Sequence, residues 1–141
     1  MTLSKKAALE AYARMLNRLD VRELENLLAD DFQYSSQWVL PSMTSKAEYL
    51  RYISKKLDAI RASHEPVYAE MATLDREFPG PCVVCAQGEK DNLLCLVLAK
   101  VDGHKLLELS MCCAPSPHAA KRTGWYPGLD DQQHPRKEGS G

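Results

Sequence analysis

The chain has 141 residues, enough to bury one sizeable core without metal or disulfide staples. Hydrophobic residues make up 45% and charged residues 26%, which excludes a disordered chain. Lys plus Arg total 18 against 19 Asp plus Glu, a net charge of -1, so no basic field exists to recruit nucleic acid or anionic lipid.

The most hydrophobic run, 93–99, is far shorter than the ~18–20 residues that span a bilayer. Lys5 and Lys6 open the chain, but Glu10 and Arg14 interrupt any signal-peptide core. Five cysteines without an export signal point to free thiols in a reducing, cytoplasmic setting.

Leu9, Tyr12, Leu16 and Leu19 recur at helical spacing behind Ser4, a natural N-cap. Asp20 with Glu23 forms a capping-box-like pair for a short second helix, with Leu24, Leu27 and Leu28 as its buried face. Phe32 to Leu40 then alternates: Phe32, Tyr34, Ser36, Trp38 and Leu40 share one face of a half-buried strand. Ser45 and Glu48 begin a third helix, whose apolar side carries Tyr49, Ile53, Leu57 and Ile60. Pro66 forbids its continuation.

From there the pattern is all strand: Val67–Leu74, Cys82–Gln87, Leu93–Val101 and Lys105–Cys113. Turn clusters at 78–81 and 88–92 separate them, and Asp102-Gly103 marks a tight hairpin. With no long crossover helix between these segments, an antiparallel sheet with sequential pairing is expected. Residues 1–128 form the single expected domain and 129–141 a polar tail.

The element order, with Tyr12-Ala13-Arg14-Met15-Leu16-Asn17 and Leu28-Ala29-Asp30-Asp31-Phe32, resembles the nuclear transport factor 2-like superfamily. The likeness is to its SnoaL-like and ketosteroid isomerase-like members and covers residues 5–113. It implies an α+β cone of the cystatin-like roll type, three N-terminal helices packed in a curved antiparallel β-sheet, with an apolar pocket at the mouth. It also implies a homodimer through the sheet. Tyr12 matches the isomerases' hydrogen-bond donor. Ser36 stands where they carry the catalytic aspartate, and Val97 near their second acid. A serine hydroxyl is too weak a base for carbon-bound proton transfer, so the scaffold is retained without the isomerase machinery.

The ligand-contact candidates are therefore Tyr12, Leu16, Tyr34, Ser36, Trp38 and Ile53, converging from two helices and the first strand. The plainer reading makes the same aromatics core. Tyr12, Glu108 and His118 are the candidates for acid–base chemistry. Glu108 inside a pocket would be an acid or base, whereas outside it would be a solvated residue or dimer contact. His118 follows the sheet on a loop able to fold back over the mouth.

Cys82-Val83-Val84-Cys85 has the spacing of a zinc knuckle or redox motif. On a strand its two thiols diverge, as do those of Cys112-Cys113, and no second ligand pair follows. No metal and no cofactor are expected. Trp125-Tyr126 is expected to pack on its own sheet, on a partner subunit or as a pocket lid. The first reading is a small apolar-ligand-binding protein. Its rivals are a protein-interaction module using the sheet face and tail, and a cyclase, isomerase or dehydratase using Glu108 or His118.

Overall fold

The computed structural model describes residues 2–37, 42–75 and 79–129. Helix α1 (Lys5–Arg18) is capped by Ser4, whose hydroxyl accepts the Ala7 N–H at 3.0 Å, and it closes on Leu19 in the left-handed region. Seven of its residues are buried, including Ala8, Ala11 and Ala13. A helix buried on more than one stripe lies inside its sheet rather than on it, and the alanines let it approach β-strands closely.

One turn, α2 (Arg22–Glu25), follows, with the Arg22 N–H held by the Asp20 carboxylate at 3.0 Å. The expected buried face of three leucines is only partly realised. Leu24 is buried in α2, but Leu28 already begins strand β1 (Leu28–Ser36). Pairing of Leu28 with Leu106 overrides the helical spacing and starts the strand four residues before Phe32. Phe32, Tyr34 and Ser36 face inward, as their alternation requires. The expected continuation through Trp38 to Leu40 lies outside the described residues.

Helix α3 (Lys46–Ser63) is capped as the sequence suggests. The Ser45 hydroxyl accepts the Glu48 N–H at 3.1 Å, and the Glu48 carboxylate accepts the Thr44 N–H at 3.3 Å. Tyr49, Ile53, Leu57 and Ile60 form its buried stripe, and His64 at φ 63° ends it.

Strands β2 (Val67–Leu74), β3 (Gly80–Gln87), β4 (Leu93–Val101) and β5 (Leu106–Cys112) pair antiparallel in sequence. The sheet as a whole is mixed, because β1 pairs parallel with β5 and not with a sequence neighbour. A short β6 (Lys121–Arg122) joins the far edge against β2, giving the order β1-β5-β4-β3-β2-β6. The sheet is curved and unclosed, and the architecture is α+β. No helix is long and apolar enough to cross a membrane among the described residues.

The two sheet faces do different things. Ala69, Met71, Val83, Cys85, Cys95, Val97, Leu109 and Met111 face the helices in the main core. Ala72, Leu74, Cys82, Val84 and Leu96 form a second apolar cluster on the outer face, covered in part by Ala120.

Candidate functional site

The concave side holds a cavity of about 130 Å³ between α1, α3 and strands β3 to β5. Tyr12 and Leu16 of α1, Ile60 of α3, Cys85, Cys95 and Met111 form its walls, with Lys56, Gln87 and Leu94 also in the lining. Leu94, at 37% exposed, is one of two large apolar side chains open to solvent among the described residues. Leu16, Ile60 and Val67 also border a shallower groove of about 240 Å³ alongside.

Beside it, Phe32, Tyr34, Tyr49 and Tyr52 pack ring against ring, with centroids 4.9 Å apart for Phe32–Tyr49 and 5.1 Å for Tyr34–Tyr49. This cluster occupies the core beside the cavity. Tyr34 is tied by its hydroxyl to Ser36, Tyr52 and, at 3.8 Å, the Met111 sulfur. Tyr49 is fully buried, and its hydroxyl meets no hydrogen-bond partner among the described residues. An unsatisfied buried hydroxyl is destabilising by about 1–3 kcal/mol. Tyr49→Phe is therefore expected to raise stability by about 1 kcal/mol in urea unfolding. A loss of stability would show that the hydroxyl has a partner in solution.

Burial, then the nearby Cys85 and Tyr49, holds the Tyr12 phenol well above its ordinary titration range, so it stays a neutral O–H donor. The thiols divide by face. Cys82 lies in the outer cluster and burial pushes it up to about 11, while Cys85 and Cys95 are cross-strand partners on the cavity side. This is the divergence expected of Cys82 and Cys85 on one strand. No group of three or more metal-ligating side chains occurs among the described residues.

Of the residues singled out by sequence, the structure brings Tyr12 and Leu16 to the cavity wall. Tyr34, Ser36 and Ile53 are buried in the adjacent core, and Trp38 lies outside the described residues. Glu108 faces outward, 3.8 Å from Lys100 and 3.2 Å from the Ser110 hydroxyl, in an open outer groove of about 390 Å³. His118 is exposed on the one-turn 3-10 helix Pro117–Ala119, which packs beside β4. Neither belongs to the cavity lining.

Trp125-Tyr126 packs on its own sheet. The Met71 N–H donates to the Trp125 carbonyl at 2.9 Å, and the Thr123 N–H donates to the Met71 carbonyl at 3.2 Å. Two anchors hold this segment, and sequence reading had missed both. The Asn17 amide group donates to the Ala69 and Pro127 carbonyls at 2.8 and 2.7 Å, and its oxygen accepts the Ala69 N–H at 2.8 Å. Glu70, only 2% exposed, accepts from Arg122 at 2.8 Å, the Gly124 N–H at 2.7 Å and the Tyr126 hydroxyl at 3.2 Å. A charged residue in an otherwise apolar strand was the available signal for Glu70.

No family model and no curated protein matches the chain. Solved structures do. A nuclear transport factor 2-like protein of unknown function from Cytophaga hutchinsonii aligns over 82% of this chain and 96% of its own at 8% identity, with a TM-score of 0.55. A candidate polyketide cyclase from Sinorhizobium meliloti aligns over 72% and 90% at 13% identity, with a TM-score of 0.51. A candidate ketosteroid isomerase from Kribbella flavida aligns over 76% and 75% at 16% identity, with a TM-score of 0.50. At such identities the likeness is one of fold, and the fold is nuclear transport factor 2-like.

Proposed function

From that fold and its cavity, we propose that the chain binds a small, largely apolar molecule of single-ring size, oriented by a hydrogen bond from Tyr12. One observation carries the reading: a buried phenol on the wall of an apolar cavity, held neutral by its burial. The volume sets the ligand's size. A dry cavity of about 150 Å³ accepts benzene, whereas drug-sized ligands need about 300 Å³ or more. About 130 Å³ therefore suits one ring bearing one acceptor, such as a carbonyl.

Binding rather than turnover is the better reading. No carboxylate belongs to the described lining, Ser36 is engaged with Tyr34, and Val97 is a fully buried aliphatic residue. The chain thus offers a donor for an oxygen but no carboxylate base beside it, and both Glu108 and His118 lie elsewhere.

Cyclohexanone and methylcyclohexane, titrated into the protein and followed by NMR, test this directly. The ketone is expected to shift resonances of Leu16, Ile60 and Met111. Tyr12→Phe should weaken the ketone about five-fold, the worth of one hydrogen bond, and leave the hydrocarbon unchanged. Shifts elsewhere on the surface, or equal ketone affinity in the variant, would overturn the proposal.

A further inference from the structure

Cys85 and Cys95 sit directly opposite each other on β3 and β4, and both line the cavity with Lys56. Directly opposed residues in an antiparallel pair have Cα atoms about 4.5–5.5 Å apart, within the range a disulfide needs, so joining them requires little backbone movement. Both are free thiols, and both residues are nearly fully buried. The Cys85 thiol opposite it, with the Lys56 ammonium, holds the Cys95 thiol below its ordinary range against the opposing effect of burial. The same contact pushes Cys85 up, which leaves it the protonated partner.

We propose that Cys95 is a peroxide-reactive thiol and Cys85 its resolving partner, forming an oxidisable dithiol in the cavity wall. The Cys95 thiolate attacks one oxygen of a peroxide R–O–O–H, where R is hydrogen or a small apolar group. The O–O bond breaks, an S–O bond forms, and the departing alkoxide or hydroxide takes a proton from solvent to leave as R–OH or water. The Cys85 sulfur then attacks the sulfenic acid sulfur. Its S–H proton and the sulfenic hydroxyl leave as water, and a Cys85–Cys95 disulfide remains. Sulfur has given up two electrons and the peroxide has taken them. A small dithiol reductant restores both thiols by exchange.

The other cysteines provide the contrast. Cys112 and Cys113 are half-buried and more open than Cys95, but neither is opposite a second thiol in the pairing register. Exposure alone would oxidise them first, whereas the dithiol geometry with Lys56 favours Cys95.

The test uses the full chain and hydrogen peroxide at equimolar dose, followed by alkylation and non-reducing peptide mass spectrometry. The expected product joins Cys85 to Cys95, lighter by two hydrogens, while Cys82, Cys112 and Cys113 remain alkylated. In Cys85→Ser, dimedone should trap a sulfenic acid at Cys95, and in Cys95→Ser none should form at Cys85. Lys56→Gln should slow the reaction about three-fold, the scale of one partly solvated charge. Oxidation of Cys112 or Cys113 ahead of Cys95, or full alkylation of Cys85 and Cys95 after treatment, overturns the proposal. The wild-type measurement decides even if a variant fails to fold, and it is independent of any ring-sized ligand.

Discussion

Raising the pH above 10 is expected to unfold the protein together with the ionisation of three buried tyrosines, Tyr12, Tyr34 and Tyr49. Burial is the main cause in each case, and the rings' mutual proximity adds to it. In the unfolded chain each phenol releases its proton near 10, and in the folded chain well above that. Between those values the native state binds more protons, so stability is fully present below 10 and falls as pH rises. Each tyrosine contributes a slope approaching about 1.4 kcal/mol per pH unit, and the three together about 4. Urea unfolding between pH 8 and 11.5 measures the slope, and absorbance at 295 nm counts the tyrosinates. Tyrosinate absorbance from the buried set should rise in the same transition that abolishes the far-ultraviolet dichroism. If all six tyrosines titrate near 10 with the fold intact, the packing described for the cavity wall is wrong.

Glu70→Ala is the single substitution expected to cost most, about 2–4 kcal/mol. Its carboxylate is almost fully buried and takes three donors from the 122–126 segment, so truncation leaves the Gly124 N–H and the Tyr126 hydroxyl without it. The loss is kept below that of a wholly buried ion pair because the Arg122 side chain is 32% exposed and also pairs with Asp91 at 2.9 Å. Glu70→Gln, which keeps an acceptor for the Gly124 N–H, should lose less. Release of the segment should also be visible as faster tryptic cleavage at Lys121 and Arg122, both exposed on β6. Unchanged cleavage, with stability within about 0.5 kcal/mol of the parent, would mean that Asn17 and the β2–β6 pairing hold the segment alone.

These two predictions rest on residues of very different visibility. Helix α3 could be read directly, since Ser45, Glu48 and the Tyr49–Ile60 stripe are all local signals, and the strands after Pro66 are bounded by their own turns. The start of β1 could not. Leu24, Leu27 and Leu28 have helical spacing, and only Leu106, far along the chain, makes Leu28 a strand residue. Parallel pairing of β1 with β5 has no local signature for the same reason.

The cavity divides likewise. Tyr12 and Leu16 come from one helix face and from the resemblance. Cys85, Cys95, Lys56, Ile60 and Met111 meet them only because the sheet bends around α1 and α3. Glu70 is conspicuous in its strand, but nothing near it in sequence announces Arg122, 52 residues on.

The pairing of β1 with β5 also bears on how the chain comes to fold. Ser35 finds Ser110 75 positions further along the chain, so the wall that includes Met111 emerges well after β1 in synthesis. Until then the inward side chains of β1, Phe32 and Tyr34, have no sheet behind them, and the edge of β1 offers unpaired backbone to any neighbour. Contacts of such high order slow folding, because a long loop must close before they form. A nascent chain halted before Leu106 would thus present an open aromatic surface and no binding site. The cavity belongs to the finished molecule, and the incomplete one exposes apolar surface of the kind that promotes aggregation.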